Sequence, residues 1–241
     1  MSAAAQTRRD ALSRASLAAG ALAAAGAVRP ALALAQASND DDLRDFLVHA
    51  IGLEQIAALA YSTAADANGV EAKLSTTLDR FRDQEQAHAT ALRSAIDELG
   101  SDPPDAPNSP SDTAVFDGVD GLDDATASDL KDLLSGLDGL KSTDEYLDYL
   151  EKLEREQLDL YLGAAQGLDS EDLSTSGAEI AGCEAEHLVV LRGELGDKPA
   201  EALDAATRAA TSAVASAESS TSSSGTTSTT STTSSSTTTS Q

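Results

Sequence analysis

The sequence predicts an all-α fold, a four-helix bundle with a long connection between its second and third helices. Three observations carry that expectation. The 241-residue chain is rich in Ala, Leu, Glu and Asp, lacks Trp, and has no alternating Val/Ile/Tyr run that would make a sheet. Four stretches repeat inward positions at alternating steps of three and four, the period of a buried helix face. Asn68-Gly69, the Pro-rich segment after Gly100, and Gly167 to Ser174 separate those stretches.

The first helix is expected from about Asp41 to Ala67, entered through acidic residues that suit a helix N-terminus. Its seam reads Leu43, Leu47, Ala50, Glu54, Ala57, Tyr61 and Ala64. The second helix runs from about Glu71 to Leu99 and stops at Gly100. Its seam is Leu74, Leu78, Phe81, Glu85, His88, Leu92, Ala95 and Leu99. Pro103, Pro104, Pro107 and Pro110 then force a loop, and a short helix is expected near Ser128 to Leu134. The third helix starts after Ser142-Thr143, with Glu145 close behind as a capping partner, and continues to about Gln166. It turns Leu147, Leu150, Glu154, Gln157, Tyr161 and Ala164 inward. The fourth runs from about Thr175 to Leu195 and presents Leu173, two residues ahead of it, then Gly177, Ile180, Glu184, His187 and Leu191.

Every helix therefore directs a glutamate into an apolar seam, which is costly unless something compensates it. The halves also repeat. Leu53-Glu54 with Tyr61 matches Leu153-Glu154 with Tyr161 at an offset of 100, and Glu85 to His88 matches Glu184 to His187 at an offset of 99. Of the three histidines, two hold these equivalent places. Each set lies about 15 residues from its own interhelical turn, so all six side chains fall roughly 22 Å along their helices, at one level. Residues i and i+3 share a helix face, so each Glu-x-x-His offers an oxygen and a nitrogen to the same region. Two divalent cations would cancel the four carboxylate charges. Four Glu and two His are the donor set of di-iron and di-manganese carboxylate bundles.

On these residues the chain resembles the ferritin-like superfamily, specifically the exported ferritin-like domain proteins of the rubrerythrin and desiccation-related type. The resemblance covers about Asp40 to Leu195. It implies metal ligation by Glu54, Glu85, His88, Glu154, Glu184 and His187. Glu85 and Glu184 would bridge, Glu54 with His88 would complete one coordination sphere, and Glu154 with His187 the other. The expected cofactor is two Fe ions, with Mn as the alternative. The expected chemistry is oxidoreductase chemistry with Fe(II) and O2 or peroxide, of ferroxidase or peroxidase type. A non-catalytic stress or desiccation-related bundle with structural or no metal, and a manganese catalase-like activity, stand as alternatives. A homodimer is left open. No fifth helix for cage assembly is expected, which argues against mineral storage.

Other residues read as ordinary. Glu186 lies about 100° round the helix from His187 and is expected at the surface, as are Glu151, Glu156 and His49. Cys183, the lone cysteine, reads as a small buried hydrophobe. Tyr61 and Tyr161 read as packing rings, with hydrogen bonding near the site or electron transfer as the alternative.

The flanks carry targeting rather than fold. Residues 1–37 follow the order of an export signal: Arg8-Arg9, an Ala/Leu/Gly stretch, then Ala35-Gln36-Ala37 as a small-x-small cleavage site. The paired arginines suggest the twin-arginine route, with Ala11 where a bulkier residue is common. The apolar run, of about 14 residues, is too short for a membrane span, and no later segment is apolar enough. The bundle is assigned to 38–200 and a disordered tail to 201–241, nearly pure Ser and Thr from about Thr211. The net charge of −25 excludes nucleic-acid binding through a broad basic patch and argues against anionic lipid. It fits a strongly solvated surface, or adaptation to high salt.

Overall fold

The computed structural model describes residues 40–167, 171–198 and 200–203. It contains α1 (Asp40–Ala65), α2 (Ala72–Glu98), α3 (Asp124–Gly136), α4 (Thr143–Gly167) and α5 (Glu171–Glu194), with one 3-10 turn at Thr113–Phe116. No strand occurs among the described residues. The expected leader, and the expected tail beyond residue 203, lie outside them.

The stop and start signals work by the expected physics. Gly100 takes φ +72, and Ser101 and Gly100 donate backwards to the carbonyls of Ile96 and Asp97. Gly196, at φ +103, closes α5 the same way, with Asp197 and Gly196 donating to Arg192 and Gly193. Both are left-handed glycine caps that satisfy the last carbonyls. The Glu145 amide donates to Ser142 Oγ at 3.2 Å, while Glu145 Oε2 accepts from the Ser142 amide at 3.0 Å. That reciprocal box opens α4. α5 begins earlier than expected, at Glu171, four residues before Thr175.

Two apolar clusters define the strand of the chain through the bundle. One joins the C-terminal half of α1, the N-terminal halves of α2 and α4, and Leu191 at the end of α5. The other joins the N-terminal half of α1, the C-terminal halves of α2 and α4, and Ile180 to Leu188 of α5. α1 is therefore antiparallel to both α2 and α4, and α4 is antiparallel to α5. The chain must consequently travel the whole bundle length between α2 and α4. A 25-residue helix spans roughly 38 Å, which is why the connection is long.

That connection contributes core. Phe116, Leu130 and Leu134 are fully buried and join the first cluster. The helix there runs farther than the short segment expected from sequence, from Asp124, whose preceding Asp123 side chain accepts from the Thr126 amide. Gln55 and Arg93 both donate to the Pro104 carbonyl, tying the Pro-rich loop to α1 and α2. Gly52 is the close-approach point. A Cβ there would lie 2.8 Å from Leu130 Cδ1 and 3.4 Å from Phe116 Cε1. Both neighbours are locked in the core, so Gly52→Ala is expected to destabilise the protein by about 1–3 kcal/mol, read as a lowered urea midpoint at unchanged slope.

Candidate metal centre

Between the two apolar clusters lies a polar layer. Glu54, Glu85, His88, Glu154, Gln157, Glu184 and His187 are all buried, with Glu54, Glu85 and Glu184 completely inaccessible. The expected seams deliver them there: every seam position of α1 is buried, as is every one of α2 except the half-buried Leu99. In α4 the seam holds through Tyr161, with Ala164 half-buried, and in α5 it holds from Gly177 to Leu191. Leu173 falls where side chains are not described.

The six side chains singled out from sequence converge as two overlapping groups. Glu54, Glu85, His88 and Glu184 form one; Glu85, Glu154, Glu184 and His187 form the other, each with one donor atom per residue within 4.8 Å of the others. Glu85 and Glu184 belong to both. His88 Nδ1 stands 3.3 Å from Glu54 Oε2 and 3.2 Å from Glu184 Oε1. His187 Nδ1 stands 3.1 Å from Glu85 Oε1, 3.3 Å from Glu154 Oε1 and 3.3 Å from Glu184 Oε2. Glu184 thus turns one oxygen toward each histidine.

The donor set fits a metal. Glu54 Oε2, Glu85 Oε1, Glu154 Oε2, both Glu184 oxygens and His88 Nδ1 are buried without a hydrogen-bond partner. Several lie at ion-pair distance, yet none is aimed as a hydrogen bond. Buried polar atoms are almost always satisfied, and anionic oxygens still more so. Atoms that crowd together without bonding to one another share a common focus, which a hard or borderline cation would fill.

Burial and neighbouring charge shift the protonation equilibria of this layer. Burial, then the neighbouring Glu184 and Glu54, push Glu85 well above the usual carboxylate range. Burial pushes Glu154 up to about 8, against the pull of His187. Burial acts the same way on Glu184, but His187 and His88 outweigh it and hold that carboxyl well below its ordinary value. Burial opposes protonation of His88 and His187, and the surrounding carboxylates, led by Glu54 and Glu154 respectively, override it and raise both.

The surrounding side chains fix these six. Tyr61 of α1 donates to Glu154 Oε1 on α4, and Tyr161 of α4 donates to Glu54 Oε1 on α1. Packing is the expected role of these rings and hydrogen bonding near the site the alternative; the structure shows the second, reciprocally between α1 and α4. The signal was present: each tyrosine sits seven residues beyond its own glutamate, two turns away on the same face, so it meets the glutamate of its antiparallel partner. Gln157 Nε2 donates to Glu85 Oε2 at 2.9 Å. Phe81 stacks on His187 with ring centroids 3.9 Å apart. Gln84, unnoticed in the sequence, places Oε1 3.1 Å from His187 Nε2 and donates through Nε2 to Cys183 Sγ at 3.4 Å. Cys183 is half-buried, and its sulfur lies 3.6 Å from His187 Nε2, so it is no mere apolar filler.

The chain matches the ferritin-like domain family over residues 8–197. It belongs to the ferritin-like family. The match spans all five helices and the crossover, and includes both Glu/Glu-x-x-His sets. Compared with curated proteins and with solved structures, the chain returns no match. Among the described residues, no helix of this ferritin-like protein is long and apolar enough to cross a membrane.

The remaining residues divide. Glu186 and Glu156 are exposed as expected. Glu151 is not simply a surface residue: it accepts from Arg155 and from Arg192 Nη1, each at 2.8 Å, and clamps α5 to α4. His49 is half-buried beside the α3 region, where burial lowers its pKa against the pull of Asp129 and Asp123.

Proposed function

We propose that this ferritin-like protein is exported, through its 1–37 leader, and binds a dinuclear metal centre, di-iron, on Glu54, Glu85, His88, Glu154, Glu184 and His187. Its reaction is oxidation of Fe(II) by O2 or peroxide, a ferroxidase-type oxidoreduction. The observation that supports this reading is the set of unpartnered carboxylate oxygens converging in a dry layer. A bundle needing only stability would fill that layer with apolar side chains.

Such a metal pair would supply reversible one-electron chemistry and open positions for an oxygen ligand. The protein supplies the rest. Glu54 with His88 and Glu154 with His187 hold one position each, and Glu85 and Glu184 are shared. Gln84 accepts from His187 Nε2–H, which leaves Nδ1 as the donor atom facing the carboxylates. Tyr161 holds Glu54 Oε1 while Oε2 faces His88, and Tyr61 holds Glu154 Oε1, the oxygen that also faces His187. The two apolar clusters exclude water on either side of the layer, so charge there is stabilised by fixed groups.

The test is metal analysis of exported protein followed by anaerobic Fe(II) loading and exposure to O2 or peroxide. About two metal ions per chain, with Fe(II) oxidation lost in Glu54→Ala, is the expected result. Manganese with oxygen release from peroxide would replace the reading with a catalase-like one. Protein that binds no metal under any of these conditions would leave a structural bundle.

A further inference from the structure

Beside the carboxylate layer, α1 and α2 leave a cleft of about 540 Å³, walled on a third side by residues 106–108 of the Pro-rich loop. Its helical lining sits one position past the seams: Gln55 follows Glu54, Gln86 follows Glu85, and Ala89 follows His88. None of the six metal-site side chains lines it. Ala58 and Ala89, both buried, give it depth because their side chains are short.

Two groups of this cleft lack the partner their chemistry calls for. The chain carries 41 acidic and 16 basic residues, so its cations find carboxylates easily. Arg82 does, with Asp79 and Asp83 at 2.6 and 2.8 Å. Arg93 does not. It is half-buried, gives Nη2 to the neutral Pro104 carbonyl at 2.5 Å, and has no ion pair among the described residues. Gln55, only 6% exposed, donates through Nε2 to the same carbonyl at 3.3 Å. A carbonyl only accepts, so the amide nitrogen must be the atom that faces it, and Oε1 is left on the other side. That oxygen is buried with no hydrogen-bond partner, a state buried acceptors rarely keep. The Pro104 carbonyl thus gathers an uncommitted guanidinium and an amide oxygen without a donor. The first calls for an anion, the second for a hydroxyl or N–H.

The remaining lining narrows the class. Ser62, Gln86, Thr90 and Asn108 add hydroxyl and amide groups. Thr90 Oγ1 spends its proton on the Gln86 carbonyl at 2.7 Å, which leaves its lone pairs to accept. Such a wall suits several hydroxyls at once. One uncommitted guanidinium matches one carboxylate, held by two parallel N–H bonds. A chain of net charge −25 repels anions of higher charge. The volume falls within the ordinary range for small-molecule sites.

We propose that this cleft binds a small polyhydroxylated monocarboxylate, an anion of the sugar-acid type, with Arg93 on the carboxylate and Gln55 Oε1 accepting from a hydroxyl. The site stands apart from the metal centre and does not rest on the metal-binding reading.

Calorimetric titration of the full chain with gluconate tests it. A single-site complex with a Kd of about 1 mM is expected for a ligand of about 13 non-hydrogen atoms. Sorbitol has the hydroxyls without the carboxylate, and acetate the carboxylate without the hydroxyls; each should bind about tenfold more weakly or worse. Arg93→Gln should weaken gluconate binding by about 10–100-fold. That substitution also frees the Pro104 carbonyl, so Ala58→Leu serves as the second variant. It keeps Arg93, Gln55 and the loop tie, fills the cleft, and should abolish binding in a chain whose melting curve shows it folded. No heat from gluconate well above that Kd, equal affinity for acetate and gluconate, or an affinity unchanged in both variants would each overturn the proposal. Binding kept in Ala58→Leu but lost in Glu85→Gln would place the anion on the carboxylate layer and overturn it too. A polyuronate that binds more tightly than gluconate would replace the small molecule with a glycan chain.

Discussion

Glu85→Gln and Glu184→Gln each abolish binding of the metal pair, yet move the melting temperature of the metal-free protein in opposite directions. The first half of this expectation follows from sharing. Each of these carboxylates serves both donor groups, so neutralising either removes an anionic oxygen from both positions at once. At a metal concentration 100 times Kd, binding adds about 2.7 kcal/mol per site. In a domain of this size that amounts to a rise of roughly 5–10 °C. Neither variant should show it. The second half follows from the protonation of the empty site. Burial and the carboxylate neighbours shift Glu85 toward its neutral form, so an amide of the same shape reproduces that form. The metal-free Glu85→Gln protein should melt at or above the parent temperature at pH 5. Glu184 is the reverse case, because His88 and His187 keep it ionised. Removing its charge strips two buried imidazoles of their common partner, and breaking buried pairs of this kind costs about 3–5 kcal/mol. Differential scanning calorimetry with and without Co(II) reads both effects. A metal-induced rise that survives in either variant would sink the shared-ligand arrangement.

Much of this was legible in the sequence because helices transmit periodicity directly into burial. A step of three and four residues fixes which side chain faces inward, and a turn of known position fixes its height. Glu54 and Glu184 could thus be set at one level from their distances to Asn68-Gly69 and to the turn the sequence predicts at 167–174. The glycine stops at Gly100 and Gly196 were equally direct, since only the left-handed backbone they adopt closes a helix in that way. What resisted reading was lateral. Gln84 sits one position off the seam, where periodicity calls a residue neither core nor surface, and its contact to His187 depends on how closely α2 and α5 approach. The tyrosines lay on the right face, but their partners belong to the other half of the repeat. Antiparallel packing of α1 on α4 alone decides that Tyr61 meets Glu154 rather than Glu54. The prolines of the crossover predict only a loop and a short helix near Ser128 to Leu134, with no core role. Phe116, Leu130 and Gly52 join it to the core through a contact between segments some 60–80 residues apart, which no local pattern encodes.

The metal-free protein should lose stability as pH rises from about 5 to 8, and metal should invert that dependence. Glu154 has an ordinary value of 4.5 and about 8 in the fold. Below 4.5 the folded and unfolded chains both carry its proton. Between the two values only the folded chain does, so each upward step in pH favours unfolding, until the folded group itself ionises near 8. Glu85 acts in the same direction. His88 and His187, raised above 6.5, extend the loss into the alkaline side of that window. Glu184, depressed below 4.5, opposes them only in acid, where stability disappears as pH falls through its lowered value. The metal-free maximum therefore lies near pH 5, and the fall from there to pH 8 amounts to a few kcal/mol because these groups are fully buried and unscreened. Cations bind only the deprotonated ligands, so loading must expel the protons on Glu85, Glu154 and the two imidazoles. Binding should tighten with pH over the same interval in which the empty site weakens the fold. Calorimetric titration in two buffers of different ionisation enthalpy at pH 6.5 measures the release, and melting curves from pH 5 to 8.5 measure the stability. A buffer-independent binding enthalpy, or a metal-free melting temperature that climbs toward pH 8, would show that the carboxylate layer is already ionised and balanced without metal, and the charge argument for a two-cation site would fall with it.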